Sequence, residues 1–344
     1  MLIFYFLLAI LVLLSLKYTK NDFNDNYLSY EMTNTVKGIF ILLVFIKHAV
    51  PYVLNAGWVP TGFFGELFHF VNNNVGQWIV AMFLFYSGYG VMESIKRKGH
   101  IYAHGIPKKR ILQVLVNFDV AVLIYILVDL ILKKPLTIKQ CLLSLTGWES
   151  VGNSNWYIFI IMLMYLITFV AFYRSKADNY TRPLLFSWAL TFIASIIMSY
   201  FKADYWYNTM FCYTAGMFFS LYKNKIECLA KTHYWPMLII AVIALVVFDR
   251  IPYSAKGLVY NGFSVIFCSV VILLTMKLRC NSKVLLWCGQ NLFPLYIYQR
   301  IAMIVLSSIN DGAFAAGYPF LYTVACLAIT IVITNAYKYV AVKF

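Results

Sequence analysis

Long apolar runs separated by short polar segments make up most of the chain. The runs are about 16–24 residues long and apolar on all sides, a length and pattern typical of helices that cross a bilayer. The pattern predicts eleven spans. They are Leu2–Leu16, Gly38–Leu54, Val75–Ile95, Ile111–Leu132, Trp156–Tyr173, Leu184–Phe201, Tyr205–Tyr222, Tyr234–Phe248, Leu258–Met276, Leu285–Ile309 and Tyr318–Tyr337.

The composition supports an integral membrane protein. Of the 344 residues, 62% are apolar or aromatic and only 12% are charged, whereas soluble domains average about 45–50% apolar and about 25% charged residues. So few charges cannot form a water-soluble surface around so many apolar runs. The sequence therefore excludes a soluble enzyme and predicts an all-α, polytopic transmembrane helical bundle.

The distribution of Lys and Arg predicts the orientation of this bundle. If the loop Lys96–Arg110 is cytoplasmic and the spans alternate, cytoplasmic segments hold 20 of the 28 basic residues and outer segments hold six. Such an excess is typical of cytoplasmic loops, so we expect the N-terminus outside and the C-terminus inside. The net charge of +15 is then a topology signal, and no nucleic-acid partner is expected.

The first helix looks separate from the rest of the chain. A polar, Asn/Tyr-rich segment from Lys17 to Lys37 joins it to the later spans. We therefore predict an added N-terminal helix with a cytoplasmic linker over residues 1–35, and a ten-helix body over residues 36–344. The seven cysteines form no CxxC pair and no cluster with histidine, so no metal site is predicted.

Ionisable residues within the spans are the first candidates for function, because charge is costly inside a bilayer. Lys37 and His48 are eleven residues apart, which places them on one helix face and about 16 Å apart along the axis. Such a face could hold phosphate at its cytoplasmic end and move a proton at the imidazole. The alternative is that Lys37 anchors the helix end and His48 is a hydrogen-bonded packing residue.

Three further ionisable residues lie within predicted spans. Asp119 and Arg300 could form a buried ion pair that sets helix register, or Lys47 could pair with Asp119 instead. Two basic clusters, Lys96–Lys98 and Lys108–Arg110, flank the loop between the third and fourth spans. They could mark topology and attract anionic lipids, or they could bind a polyanionic cytoplasmic donor.

Several short motifs resemble the acyltransferase 3 family of integral membrane acyltransferases. The pattern of a basic residue, ten intervening residues and a histidine occurs as Lys37 to His48. The others are Met82–Tyr89, which ends in Ser-Gly-Tyr, Lys109–Ile111, Asn155–Tyr157 and Gly289–Tyr298. The motifs stand in the family's order and cover about residues 36–340. The sequence departs from the family at Gln113, at Asn291 where Ser is usual, and at Gln299 or Arg300 where a late His is usual.

The resemblance implies transfer of an acyl group, usually acetyl, from cytoplasmic acyl-CoA to a hydroxyl of an envelope glycan or its lipid-linked precursor. It implies His48 as general base or as an acylated intermediate, and Lys37, Lys109 and Arg110 as ligands of the CoA phosphates. The residues expected to support acceptor or oxyanion are Ser87, Tyr89, Asp119, Asn291 and Arg300. Ser87-Gly88 could equally serve close helix packing.

Two other classes of protein remain open from the residues. A transporter or flippase of an anionic glycolipid would also have many helices, buried charges and a basic entrance, but no repeat symmetry is visible. A glycan polymerase or lipid-linked glycosyltransferase is disfavoured by short, nearly uncharged outer loops. The expected location is the bacterial cytoplasmic membrane, with acyl-CoA, a glycan acceptor and the bilayer as partners.

Overall fold

A computed structural model describes residues 1–20, 22–174, 179–251 and 256–343, and nearly all of its regular structure is helical. The α-helices are α1 Leu2–Ser15, α2 Tyr30–Asn55, α3 Gly62–Asn74, α4 Ala81–Lys98, α5 His100–Ile106, α6 Gln113–Ile131, α7 Ile138–Leu145, α8 Trp156–Phe172, α9 Thr181–Phe201, α10 Phe211–Leu221, α11 Lys223–Thr232, α12 Tyr234–Asp249, α13 Lys256–Lys277, α14 Lys283–Gln290, α15 Leu292–Ser307, α16 Ala313–Gly317 and α17 Pro319–Val340. Short helical turns occur at Gln77–Val80, Pro107–Leu112, Asp204–Trp206 and Ile309–Gly312.

Within the described residues, six helical segments are long and apolar enough to cross a bilayer. They are Tyr30–Asn55, Gln77–Lys98, His100–Ile131, Thr181–Phe201, Val259–Lys277 and Pro319–Val340. Two bent pairs, α11 with α12 and α15 with the helical segment Ile309–Gly317, raise that number to eight. The predicted polytopic helical architecture is confirmed, and the count of eleven spans and the orientation stay predictions.

Two predicted spans are broken at turns where asparagine side chains bond to backbone groups. The seventh span contains a break before α10, where the Asn261 side chain donates to the Tyr207 carbonyl and accepts from the Phe211 amide. The tenth span divides into α14 and α15 at Asn291, whose side chain donates to the Trp287 carbonyl. The helix α3 was not predicted as an element.

A short two-stranded sheet departs from the all-α prediction and ties the N-terminal segment to the later helices. Its strands are β1 Leu16–Tyr18 and β2 Leu278–Cys280, and they pair antiparallel. The Asn24 side chain donates to the carbonyl of Thr275, and the Tyr27 hydroxyl donates to Glu227. The segment that joins α1 to α2 is therefore held by specific contacts.

Two helix pairs approach closely because each partner contributes a glycine. In the pair of α2 and α14, a Cβ on Gly38 would overlap the Leu285 carbonyl and a Cβ on Gly289 would overlap the Asn34 carbonyl. The pair of α4 and α10 repeats this arrangement with Gly88 and Gly216. Small residues permit such contacts in membrane helices, so the packing role expected for Ser87-Gly88 is confirmed at the glycine. The two pairs fix α2 and α4, on which His48 and Ser87 lie.

Candidate active site

A wide polar cavity of about 680 Å³ reaches into the protein beside His48. Its walls come from α2, α13 and α15, from the end of α3 and the segment that follows it, from the start of α8, and from the regions around Asp204 and Asp249. The polar groups that line it are Lys47, His48, Asn73, Asn74, Gln77, Asp204, Asn208 and Asp249. Trp78 and Trp156 add flat aromatic surfaces. We call this space the large cavity.

The helix α3 orients Lys47 at the wall of the large cavity. The Lys47 ammonium donates to the backbone carbonyl of Asn72 at 2.6 Å and lies 3.3 Å from its side-chain oxygen. Asn72 is in turn contacted by the Tyr5 hydroxyl of α1, at 3.1 Å. The predicted added helix α1 is thus linked through two hydrogen bonds to the residue that precedes His48.

A second, narrower space of about 140 Å³ lies among α4, α6, α8 and α15. Its lining is mainly apolar and aromatic and includes Phe83 and Ile161. Ser87 lines it, and its hydroxyl lies beside the phenols of Tyr157 and Tyr165. We call this space the small cavity.

Tyr296 lines both cavities and forms the wall between them. Its ring centroid lies 6.2 Å from that of His48 and 5.4 Å from that of Tyr157. His48 lines the large cavity and Tyr157 the small one. The wall between the two spaces is therefore one aromatic side chain thick, with the imidazole beside it.

The order of lining residues along the helices shows which way each cavity faces. The residues just before Ala81, where α4 begins, line the large cavity. Farther along α4, Phe83 and Ser87 line the small cavity, and the helix ends in the basic cluster Lys96–Lys98. Along α8, Trp156 lines the large cavity and Tyr165 the small one. The small cavity thus lies toward the basic cluster, on what we call the basic side.

Arg110 connects the basic side to the small cavity. Its Nε donates to the Tyr102 hydroxyl at 3.1 Å, and its guanidinium interacts electrostatically with Tyr165, which lines the small cavity. The neighbouring Lys109 side chain is exposed. Lys37 lies on α2, near the start of the helix, and its ammonium is 5.8 Å from the centroid of the Tyr86 ring. The three residues predicted to bind phosphate therefore lie near the small cavity or on the basic side.

Of the remaining predicted site residues, some lie near His48 or a cavity and others lie away from both cavities. Arg300 is close enough to His48 for electrostatic interaction. Asn291 lies at the break between α14 and α15, directly before the small-cavity residue Leu292. Tyr89 packs against Phe219, with ring centroids 6.2 Å apart, and it lines neither cavity.

The hypotheses that paired Asp119 with Arg300 or with Lys47 are wrong. Among the described residues, the salt bridges include neither Asp119 nor Arg300, and Asp119 Oδ1 and Arg300 Nε are buried without a hydrogen-bond partner. Lys47 is satisfied by Asn72 instead. His48 Nδ1 is also buried without a partner in this part of the chain, so no described carboxylate fixes its tautomer.

The sequence reasoning missed the residues that shape the large cavity. Asn73, Asn74 and Gln77 lie in a segment interpreted as loop and span entry, and Asp204 and Asp249 lie in loops interpreted as nearly uncharged. Tyr157 and Tyr296 occurred within quoted motifs, but no role was predicted for them. The one available signal was the density of Asn and Gln immediately before an apolar run, which is unusual next to a membrane span.

The arrangement is that of a membrane protein with two cavities that meet at a tyrosine beside a histidine, one polar and wide and one apolar and narrow. The family model of the Acyltransferase domain matches residues 33–335. The chain belongs to this family, acyltransferase 3, and is a membrane acyltransferase. No curated protein and no solved structure matches the chain.

Proposed function

We propose that this protein transfers an acyl group, in the simplest case acetyl, from acyl-CoA on the basic side to a hydroxyl of a glycan or lipid-linked glycan in the large cavity. The observation that carries the proposal is the meeting of the two cavities at Tyr296, beside His48. One substrate can approach from each side of the wall.

The basic side suits the donor. CoA carries three phosphate groups, and Arg110, Lys109 and Lys37 supply cations on the way to the small cavity. Beyond Arg110, the small cavity offers an apolar and aromatic lining, which suits the thioester end of a pantetheine arm. The rise of about 16 Å between Lys37 and His48 is comparable to the reach of that arm.

The large cavity suits a glycan acceptor. A sugar has many hydroxyls and flat apolar faces, and the cavity supplies amide and carboxylate groups together with Trp78 and Trp156. Its volume of about 680 Å³ lies within the range of about 300–1,000 Å³ that is typical of small-molecule sites. The basic excess on the opposite side of the protein supports an outward-facing large cavity, and the membrane proposed for the protein is the bacterial cytoplasmic membrane.

His48 acts as the general base. It takes the proton of the acceptor hydroxyl as the hydroxyl oxygen attacks the thioester carbonyl carbon, and it returns that proton to the departing thiolate. An acyl-His48 intermediate is the alternative covalent route. No step requires a metal, and the described residues contain no group of three or more His, Cys, Asp or Glu side chains that could hold one.

The test is acyl transfer by the purified protein and its His48→Gln variant. Cells with and without the protein should differ in surface glycan by the mass of added acetyl groups, and purified protein in liposomes should release CoA from acetyl-CoA when that glycan is present. Glutamine keeps the size and hydrogen bonding of His48 but cannot accept a proton, so we expect a loss of about 10²–10⁴-fold.

His69 provides the matched control. It is an exposed histidine on α3 and lines neither cavity, so His69→Gln should keep the parental rate. Unchanged acylation in the His48→Gln variant at equal expression would contradict the catalytic role of His48. Absence of any acetyl transfer by the parent protein would contradict the proposed function itself.

A further inference from the structure

The segment before α8 is an irregular loop that is nevertheless buried and internally bonded. The Asn155 side chain donates to the carbonyls of Gly147 and Glu149, at 2.8 and 3.0 Å. Asn153 accepts the Ser150 hydroxyl and the Val151 amide. Side chains that satisfy backbone groups within one loop hold it in one conformation. Ser154 and the first turn of α8 are therefore held in fixed positions.

Two hydroxyl groups near the end of this loop have no hydrogen-bond partner among the described residues. They are the hydroxyls of Ser154 and Tyr296, two residues that are 3% and 2% exposed. The two hydroxyls lie near each other. A buried hydroxyl that lacks a hydrogen-bond partner costs about 1–3 kcal/mol of folding stability. A ligand that forms the missing hydrogen bonds would therefore be favoured.

A third donor lies beside them. The backbone amide of Tyr157 is close to the Tyr296 hydroxyl. It belongs to the first turn of a 17-residue helix, where N–H groups have no carbonyl within the helix to bond to and the helix dipole favours negative charge. The Ser154 hydroxyl and the Tyr157 amide N–H thus both lie beside the hydroxyl of Tyr296, the residue in the wall between the cavities.

We propose that Tyr296, Ser154 and the Tyr157 amide form the oxyanion site of the transferase. The inference rests on the proposed function, because it assigns donors to the carbonyl oxygen of that reaction. None of the three groups is a base at neutral pH, and all three can donate, which is what a developing oxyanion requires.

The acceptor oxygen forms a bond to the carbonyl carbon while its proton moves to His48, and the carbonyl electron pair moves onto oxygen, where the three donors hold it. The pair then returns, the bond from carbon to sulfur breaks, and the thiolate takes the proton from His48. The products are the acylated acceptor and CoA thiol.

The chain offers a matched comparison two residues along the same helix. Tyr298 is also 2% exposed with an unpartnered hydroxyl among the described residues. It lines neither cavity, and its ring lies 5.8 Å from that of Tyr337. Tyr298→Phe therefore reports the general effect of removing a buried hydroxyl from α15.

The experiment compares the kinetics of Tyr296→Phe, Ser154→Ala and Tyr298→Phe in liposomes. We expect Tyr296→Phe to lower kcat by about 10²–10³-fold, the usual effect of one lost oxyanion donor, with KM for acetyl-CoA and affinity for CoA unchanged. Ser154→Ala should lower kcat by a smaller factor, because Ser154 lines neither cavity and its hydroxyl lies beside that of Tyr296, and Tyr298→Phe should keep it. A merely structural role of Tyr296 would lower the amount of folded protein or CoA affinity instead.

Each result decides the matter. A parental kcat in Tyr296→Phe, or an equal loss in Tyr298→Phe, would overturn the oxyanion site while leaving the proposed transferase intact. Absence of acetyl transfer by the parent protein would overturn the proposed function, and the oxyanion site with it.

Discussion

The large and small cavities share one side chain, and almost everything else about them differs. The large cavity is lined by amides, carboxylates and two tryptophans, whereas the small cavity is lined mainly by apolar and aromatic residues. Their volumes are about 680 and 140 Å³. If the two substrates bind as proposed, this difference separates the residues that select the donor from those that select the acceptor, so each specificity can be altered without the other.

The elements that build the two cavities also differ. The small cavity lies between long helices, near the close glycine contact of α4 with α10. The large cavity also has walls from long helices, but it adds α3, the end of α12 and short turns such as Asp204–Trp206. Loops tolerate sequence change more readily than packed helices. We therefore expect related chains to differ more at the large cavity, where the acceptor would bind.

The largest expected effect concerns the side of the membrane on which each region lies. In variants that keep a single cysteine, an impermeant maleimide applied to intact cells should label Cys141 and should label Cys228 only after permeabilisation. Cys228 is exposed on α11, and Cys141 is half-buried on α7. Cys280 is a poor reporter because burial raises the pKa of its thiol and the thiolate is the reactive form. Labelling of Cys228 with protection of Cys141 would reverse the orientation.

The second prediction concerns the basic side alone. Replacing Lys109 and Arg110 by alanine should weaken acetyl-CoA binding by about tenfold or more for each charged hydrogen bond lost, and should reduce its salt dependence. Calorimetry on the purified protein measures both effects, and acceptor KM should not move. Lys231→Ala removes a basic group that pairs with Asp25 and should leave donor affinity unchanged. Equal affinities of the double variant and the parent would make this cluster a topology signal only.

The smallest expected effect is a change in acyl-chain preference at the small cavity. A cavity of this size is comparable to one of about 150 Å³ that holds benzene, so it admits an acetyl thioester and few further carbons. Ile161→Ala should raise the butyryl-to-acetyl rate ratio by about tenfold, since one methylene is worth about 1–3 kcal/mol in a fitted pocket.

A control for that prediction lies in a separate apolar cavity near Glu227. Ile272 lines that cavity and is as buried as Ile161, so Ile272→Ala should destabilise the fold comparably and leave the rate ratio unchanged. The rates are compared per folded molecule, because a buried Ile→Ala change costs about 2–5 kcal/mol. An equal shift in both variants would contradict a role of the small cavity in selecting the acyl group.

The sequence predicted the helices well because apolar runs of span length have few alternative structures. It placed α2 and α4 in the membrane, and it selected His48 because ionisable residues are rare at such depth. It missed the break before α10, because Asn261, which completes the broken hydrogen bonds, lies about 50 residues away in sequence. It missed the short sheet because three-residue strands have no distinctive pattern.

The candidate site was less predictable than the fold. The pattern of Lys37 and His48 depends on one helix, and local spacing was enough to find it. The assembly of Tyr296, Ser154 and Tyr157 depends on contacts between α15 and the start of α8, which no local pattern encodes. Asp119 was singled out by the same rule as His48, yet it lines neither cavity, so depth in a span is an incomplete guide.

The thin wall at Tyr296 also has a consequence for bioenergetics. In the proposed orientation the two cavities open toward opposite sides of a membrane that sustains a proton-motive force, and a continuous water-filled path between them would short-circuit it. The acyl group must therefore pass a residue that still blocks ions. A smaller side chain at this position would connect the cavities and let protons and other ions cross the membrane. The cell therefore needs the bulk of the tyrosine ring independently of its hydroxyl.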